Sequence, residues 1–471
     1  MRDSSFGTVL IGAALLVLAP SAAVAQTLLP GALPRPVADP LRIDFSKDPI
    51  LAYGRNTAPA DHFRATIARA VENHPGLREA EAAERVTVAE KQEARSGLFP
   101  TLDLGFTNDR SLSRQFGNND DNAVVERVRP YRRTDATATV TQTLFDFGAT
   151  SRRIRAASAR ESAAEAQIES SADDVALRAI SAWYDLAGYS ALVEMGSTLD
   201  LSQGDLAEAV KMRILQGLSA EGDLARVQAY ISNSQARLAG FRRSLSNAEA
   251  RYVEATGLPA PKKLERPALI ARLPATIEDA RILAQNSPQV RQAQLAARAA
   301  RADWGAVNAD NLPRVQGQID AGRYGVFEND NDYDVRARII VRHRLTGGGG
   351  QARSNQARAR YEQAMAAAER TTQEAEREAA ITFSDIKASE LEVTALEKAY
   401  IANRQARDVL IERFRSTQGS LTDVLTSEDN YFQIAASYLQ AVTRLDAERL
   451  VLLQRGGNLL PALGVNLTGS K

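Results

Sequence analysis

Three histidines and no cysteine are the whole supply of imidazole bases and soft metal ligands in this 471-residue chain. His62, His74 and His343 fall at a helix start, a helix break and a strand, far apart in sequence. Without Cys and without a His-x-x-x-His spacing, no thiolate nucleophile, disulfide or zinc site can be assembled from the usual parts. The run Gly347 to Gly350 offers backbone N–H groups of the kind that cradle phosphate. It lacks the Gly-Lys-Ser/Thr ending of a P-loop and opens a helix directly after a strand, which is the behaviour of a backbone turn. Serine and carboxylate pairs are abundant but undirected, so neither an enzyme nor a cofactor site is predicted. What remains is a pair of aspartates 200 residues apart, Asp223 and Asp423, each placed after a short turn, Gly217-Leu218-Ser219 and Gly419-Ser420. Coming just after Gly419-Ser420, Asp423 fits a helix N-cap, where a carboxylate satisfies free backbone N–H groups.

That matched placement extends along the chain. Asn73-His74-Pro75 and Asn286-Ser287-Pro288 lie 213 residues apart, as do Pro100 and Pro313. After the intervening strands the offset becomes 201 for Leu144 and Leu345, then 200 for Asp223 and Asp423 and for Gly257 and Gly457. The chain is therefore an internal repeat, with one insertion of about a dozen residues in the polar run Asn108 to Pro130 of the first copy, where a loop tolerates it. The insertion is expected to be surface-exposed.

Composition narrows the class. Lys plus Arg equals Asp plus Glu at 58 each, so no charge bias points to nucleic acid. A charged fraction of 25% with 6% aromatics suits long solvated helices better than several compact cores. Arg2, the apolar stretch Val9 to Ala19 and Ala23-Val24-Ala25 before Gln26 form a signal-peptide pattern over residues 1–25. The alternative, a membrane anchor, needs an apolar run of roughly 20 residues, and this one is shorter.

Helical patterning is expected over Asp61 to Ser96, Ala149 to about Gln216, Ala220 to Ala255, Thr276 to Asp310, Gln351 to about Thr417 and Leu421 to Gln454. At about 1.5 Å per residue the two longest reach about 100 Å and the others about 50 Å, so two short helices match one long one. Helices of this length bury narrow stripes along their sides, and here the stripes are rich in alanine. Between the helices are alternating segments. Leu102, Leu104 and Phe106 form one; Ala136, Ala138 and Val140 a second; Val315, Ile319 and Ala321 a third; Tyr333, Val335, Ala337, Ile339 and Val341 the clearest. Such a dyad repeat fits either a transmembrane β-barrel or a half-buried soluble sheet. In lipid, four strands cannot close, because the smallest barrel needs about eight and open edges are not tolerated, so the chain would oligomerise.

These residues resemble the TolC family of outer-membrane channels over essentially the whole mature chain. The resemblance rests on Asn73-His74-Pro75 and Asn286-Ser287-Pro288 as opening helices and on Leu144-Phe145-Asp146-Phe147-Gly148 and Leu345 to Gly349 as strand-to-helix turns. It also rests on Arg213, Gly217-Leu218-Ser219 and Asp223, and on Arg413-Phe414 and Gly419 to Leu425, as hairpin turns at the periplasmic end. It implies a mainly α fold with a small β part: a long α-helical barrel continued by a transmembrane β-barrel formed by a homotrimer, four strands per chain. The implied organisation is a signal peptide at 1–25, an N-terminal extension of the equatorial region at 26–60 and a first repeat at 61–257 with strands 101–107 and 134–145. An equatorial linker follows at 258–275, then a second repeat at 276–457 with strands 314–324 and 332–345, and a tail at 458–471.

The resemblance also implies a role: a passive exit duct in the outer membrane of a Gram-negative bacterium, in contact with outer-membrane lipid, working with a periplasmic adaptor and an inner-membrane transporter in type I protein secretion or in efflux of drugs and small molecules. Asp423 would line the periplasmic constriction, three copies around one axis, and Asp223 would belong to the lock that holds the closed end. Phe414, Gly419 and Thr426 depart from the prototype's tyrosine, arginine and second aspartate, which leaves Arg413 and Arg415 as expected lock partners. Gly217, Leu218, Ser219, Gly419 and Ser420 would form adaptor-docking turns. The alternative class is a periplasmic coiled-coil scaffold or adaptor without a pore.

Overall fold

The computed structural model describes residues 31–37, 39–113, 115, 130–328, 332–344, 347–416, 418–465 and 467. The signal-peptide pattern, the centre of the polar insertion, Leu345, Thr346 and Thr417 lie outside the described residues.

Proline sets the first departure from the expected helices. Asp61 to Ser96 is two helices, α2 (Asp61–Asn73) and α3 (Pro75–Ser96), after a short α1 (Pro49–Arg55). Pro75 has no N–H to continue α2 and forces His74 into an extended conformation, with φ −72° and ψ 133°. His74 then caps α3, its Nδ1 accepting from the Gly76 N–H at 2.9 Å. The second copy breaks in the same way into α6 (Ile277–Ala284) and α7 (Pro288–Asp310), with Pro288 at the first helical position. No proline interrupts α4 (Ala149–Leu215) or α8 (Gly349–Arg415), and each runs unbroken for 67 residues. Each reverses into a returning helix, α5 (Glu221–Thr256) or α9 (Leu421–Arg455), and α10 (Leu459–Leu463) ends the chain.

The long helices are the shared walls. Near the sheet, α4 packs between α3 and α7, and α7 also packs on α8; towards the far end, α4 packs on α5 and α9, and α9 on α8. The contacts near the sheet use small side chains, Ala156, Ala157, Ala297, Ala299, Ala306 and Ala309, which allow close helix approach. Bulky core residues gather at mid-height instead. Phe63, Ile67, Trp183, Tyr252 and Leu450 form one cluster, with Phe63 edge-on to Trp183 at 5.2 Å. Ile50, Leu51, Met195, Tyr400, Tyr431 and Tyr438 form another.

The segment before α2 belongs to this middle belt. Leu33 donates its N–H to Thr198 Oγ1 at 2.9 Å, and Arg407 donates to the Pro34 carbonyl at 3.2 Å. Asp48 caps α1 through the Ile50 and Leu51 N–H groups and, wholly buried, also accepts from the Tyr400 hydroxyl and from Arg404. Further on, Ala58 forms a parallel bridge with Pro267 of the linker. Arg266 pairs with Asp446 and donates to the carbonyls of Tyr53 (2.8 Å) and Gly54 (2.6 Å).

Four strands, β1 (Thr101–Arg110), β2 (Arg132–Phe145), β3 (Arg314–Tyr324) and β4 (Asp332–Arg342), form one antiparallel sheet in sequence order. β1 runs three residues beyond its expected end, β2 starts two earlier and β4 stops three sooner. Pairing puts Leu104 opposite Ala138, Ala138 opposite Ala321 and Ala321 opposite Val335; the next rung is Leu102, Val140, Ile319 and Ala337. Directly opposed residues share a face, so the apolar members of all four strands make one continuous face. The other face is polar: Asp320 accepts from Thr139 Oγ1 at 3.0 Å and pairs with Arg338 at 2.5 Å. Among the described residues no helix covers the apolar face: Leu104, Phe106, Tyr333, Val335, Ile339 and Val341 are all exposed. Among the described residues, no helix is long and apolar enough to cross a membrane.

Candidate functional site: two helix turns far from the sheet

At the end of α4 the chain reverses through Gly217, whose φ of +73° is open to glycine at little cost. The Gly217 N–H reaches the Ile214 carbonyl at 2.9 Å and the Leu218 N–H the Arg213 carbonyl at 2.8 Å, which satisfies the last carbonyls of the helix. Asp223, in the first turn of α5, accepts from the Ala220 N–H at 3.2 Å and lies 3.9 Å from Arg226.

The second turn, after α8, is tighter. Gln418 returns its N–H to the Arg413 carbonyl at 3.0 Å, and a Cβ on Gly419 would lie 2.8 Å from the Phe414 nitrogen, so only glycine fits there. Ser420 is the N-cap of α9, its hydroxyl accepting from the Thr422 N–H at 3.2 Å. Asp423 is therefore not the N-cap, as the sequence had suggested; it stands three residues in, exposed, and among the described residues its carboxylate has no partner. A free carboxylate in the first turn still interacts favourably with the helix dipole.

The two turns are joined by arginines from the first repeat. The Arg213 guanidinium lies over the Phe414 ring at 4.4 Å, donates to the Phe414 carbonyl at 2.6 Å and reaches Ser219 Oγ at 3.4 Å. Arg226 donates to Thr422 Oγ1 at 2.9 Å. Beneath them Val210, Val227, Ile411, Leu421, Val424 and Leu425 form a small core, and Phe414 is part of it at 3% exposure. Phe414 is thus a packing residue and the platform for Arg213, not a wall of an open passage. Arg415 is exposed and pairs within its own helix with Glu412 at 3.7 Å, and Arg413 contributes its carbonyl to the turn. Within the chain neither is the partner of Asp223; Arg226 is. Sequence reading singled out Arg213 but missed Arg226: its pairing with Asp223 three residues away was a local signal, whereas its reach to Thr422, 196 positions away, was not.

Comparison with known proteins bears on these features. Residues 66–258 match the family described as Outer membrane efflux protein. No curated protein matches the sequence directly. Among solved structures, the outer membrane protein VceC of Vibrio cholerae aligns over 86% of this chain and 96% of its own, with 21% identity and a TM-score of 0.73. The CmeC outer membrane channel of Campylobacter jejuni aligns over 84% and 85%, at 14% identity and a TM-score of 0.74. The open-state MtrE outer membrane channel of Neisseria gonorrhoeae aligns over 85% and 90%, at 19% identity and 0.71. The chain thus carries the sequence signature of the outer membrane efflux protein family over its first repeat, and along its length the fold of the TolC-like outer-membrane channels.

Proposed function

We propose that three copies of this chain form an outer-membrane channel, the passive exit duct of a tripartite export system. The observation that carries this reading is the continuous apolar face of a four-stranded sheet with two unpaired edges. Lipid covers such a face, and no lipid environment tolerates such edges, so β1 of one copy pairs with β4 of the next until the barrel closes. Twelve strands close it in a trimer. Four helical columns per chain continue it as a tunnel in the periplasm, and a periplasmic adaptor docks at the turns Gly217 to Ser219 and Gly419 to Ser420, linking the duct to an inner-membrane transporter. The family description favours efflux; type I protein secretion would use the same duct.

The test is assembly. The protein is expected in outer membranes, extracted by detergent as a trimer whose electrophoretic migration changes on heating. A monodisperse monomer free of detergent would instead establish a periplasmic scaffold.

In the closed duct, Arg213 on Phe414 and Arg226 between Asp223 and Thr422 hold the two turns together, and opening separates them. Three copies of the unpartnered Asp423 ring the narrow end, attracting cations and repelling anions. Asp423→Asn removes those charges and keeps the size of the side chain. A unit charge about 4 Å from an ion in water is worth about 1 kcal/mol, attractive to a cation and repulsive to an anion, so the cation-over-anion permeability ratio in planar bilayers is expected to fall at least about fivefold. An unchanged ratio would place Asp423 outside the constriction.

A further inference from the structure

The apolar face of the sheet does not stay apolar to its end. Strand alternation carries Leu102, Leu104 and Phe106 on to Asn108 and Arg110, and register sets Arg110 directly opposite Arg132. Both arginines are exposed on the face that covers itself with lipid, just beyond the aromatic pair Phe106 and Phe327, whose rings lie 6.0 Å apart. Arg323 shares the face two levels lower, on the rung of Phe106 and beside Tyr333.

Two like charges at directly opposed positions, with Cα atoms about 5 Å apart, repel and destabilise a strand pair. Among the described residues the only acid within ion-pair distance of them is Glu328, 3.7 Å from Arg132, and that carboxylate is already engaged by the Thr134 N–H (3.1 Å) and hydroxyl (3.2 Å). Neither Arg110 nor Arg323 has an acidic partner among the described residues. Arginines on the polar face differ: Arg133 pairs with Asp135 at 2.7 Å, Arg336 with Asp334 at 2.5 Å and Arg338 with Asp320 at 2.5 Å. Among the described residues, Arg110 and Arg323 on the apolar face thus lack the acidic partners that Arg133, Arg336 and Arg338 have on the polar one, where Arg342 alone of the strand arginines has none.

We propose that Arg110 and Arg132, with Arg323 below them, bind the phosphate groups of a phosphorylated glycolipid in the outer leaflet. Guanidinium groups hold phosphate through paired N–H donors, and an aromatic girdle marks the level at which headgroups start. A phosphate between the two opposed arginines turns their repulsion into attraction. The proposal rests on the barrel reading above, with the hairpin loops facing outward.

Native mass spectrometry of the purified trimer in neutral detergent tests it, with diphosphoryl lipid A, its phosphate-free form and phosphatidylglycerol as probes. Wild type is expected to bind diphosphoryl lipid A about tenfold tighter than the phosphate-free form. The double variant Arg110→Gln, Arg132→Gln is expected to lose that preference. Arg110→Lys with Arg132→Lys, which keeps the charge, is expected to retain most of it, and Arg133→Gln on the polar face to leave it unchanged. Equal binding of both lipid A forms by wild type, or an undiminished preference in the Gln variant, would reduce the arginines to side chains that merely reach for water. Binding of phosphatidylglycerol as tight as that of diphosphoryl lipid A would overturn the outer-leaflet assignment. A protein that forms no detergent-dependent trimer would overturn the barrel reading itself.

Discussion

Asp48→Ala is expected to lower unfolding stability by about 3–5 kcal/mol, among the largest losses a single substitution in this chain can produce. Its side chain is wholly buried and performs three tasks at once. It caps α1 through two backbone N–H groups at 2.8 and 3.1 Å, accepts from the Tyr400 hydroxyl at 2.8 Å, and neutralises Arg404. Alanine leaves the Arg404 guanidinium buried without its direct carboxylate partner, against the Phe45 ring at 5.4 Å and near only Asp408, which already pairs with Arg407. Removing one member of a buried pair costs more than the pair contributes, because the remaining charge cannot return to water. Asp48→Asn keeps the cap and loses the charge, so its loss should be smaller. Thermal unfolding of the purified assembly reads both, and limited proteolysis between Arg35 and Arg55 should accelerate in the alanine variant. A loss below about 1 kcal/mol would mean that water already reaches Arg404.

Asp173→Asn is expected to act in the opposite direction, and only at high pH. Asp173 sits in α4 at 2% exposure, and one of its carboxylate oxygens has no hydrogen-bond partner. Burial, with Asp174 and Glu169 adding repulsion against a weaker opposing effect of Arg291, pushes its pKa up to about 7. A carboxyl that is harder to ionise in the folded than in the unfolded chain stabilises the fold while protonated. That contribution is complete below the ordinary value of 3.8 and is lost as pH rises to about 7. The span corresponds to on the order of 4 kcal/mol. Asparagine cannot ionise, so the variant should melt at a higher temperature than wild type at pH 8 and at nearly the same temperature at pH 4. Burial also raises the pKa of Asp408, Glu428 and Asp446, which lie in the same helical bundle, so wild type alone would not isolate Asp173. Identical wild-type and variant curves at both pH values would show that Asp173 stays ionised in the fold.

The two kinds of element differ in how openly the sequence displayed them. Proline-free stretches and periodicity marked α4 and α8, and dyad alternation marked all four strands, because each signal is local. The break at His74 was legible because proline follows; Ser287 carries the same local signal, yet continuous helical periodicity on either side obscured that one. Strand ends moved by two or three residues where the alternation gives way to Asn108, Asp109 and Arg110, polar residues that pair as readily as apolar ones. At the turns, Gly217, Gly419 and Ser420 were legible as punctuation, but the contacts of Arg213 with Phe414 and of Arg226 with Thr422 join positions 201 and 196 apart. Spacing alone cannot show such pairs. The same holds for the middle belt, where the Asp48-Pro49 pair announces a helix start but nothing local announces Arg404 or Tyr400.

The belt also fixes an order of events. Asp48 finds Tyr400 and Arg404 at separations of 352 and 356, and Pro34 finds Arg407 at 373. The earliest-synthesised part of the described chain thus waits over the longest separation for its partners, and contacts at this range are slow to form. Until translation passes Asp446, Arg266 too lacks its carboxylate. An incomplete chain therefore keeps the leucines and tyrosines of its middle exposed, a surface that chaperones and proteases can read as unfinished. Closing the belt requires a chain synthesised at least as far as Asp446.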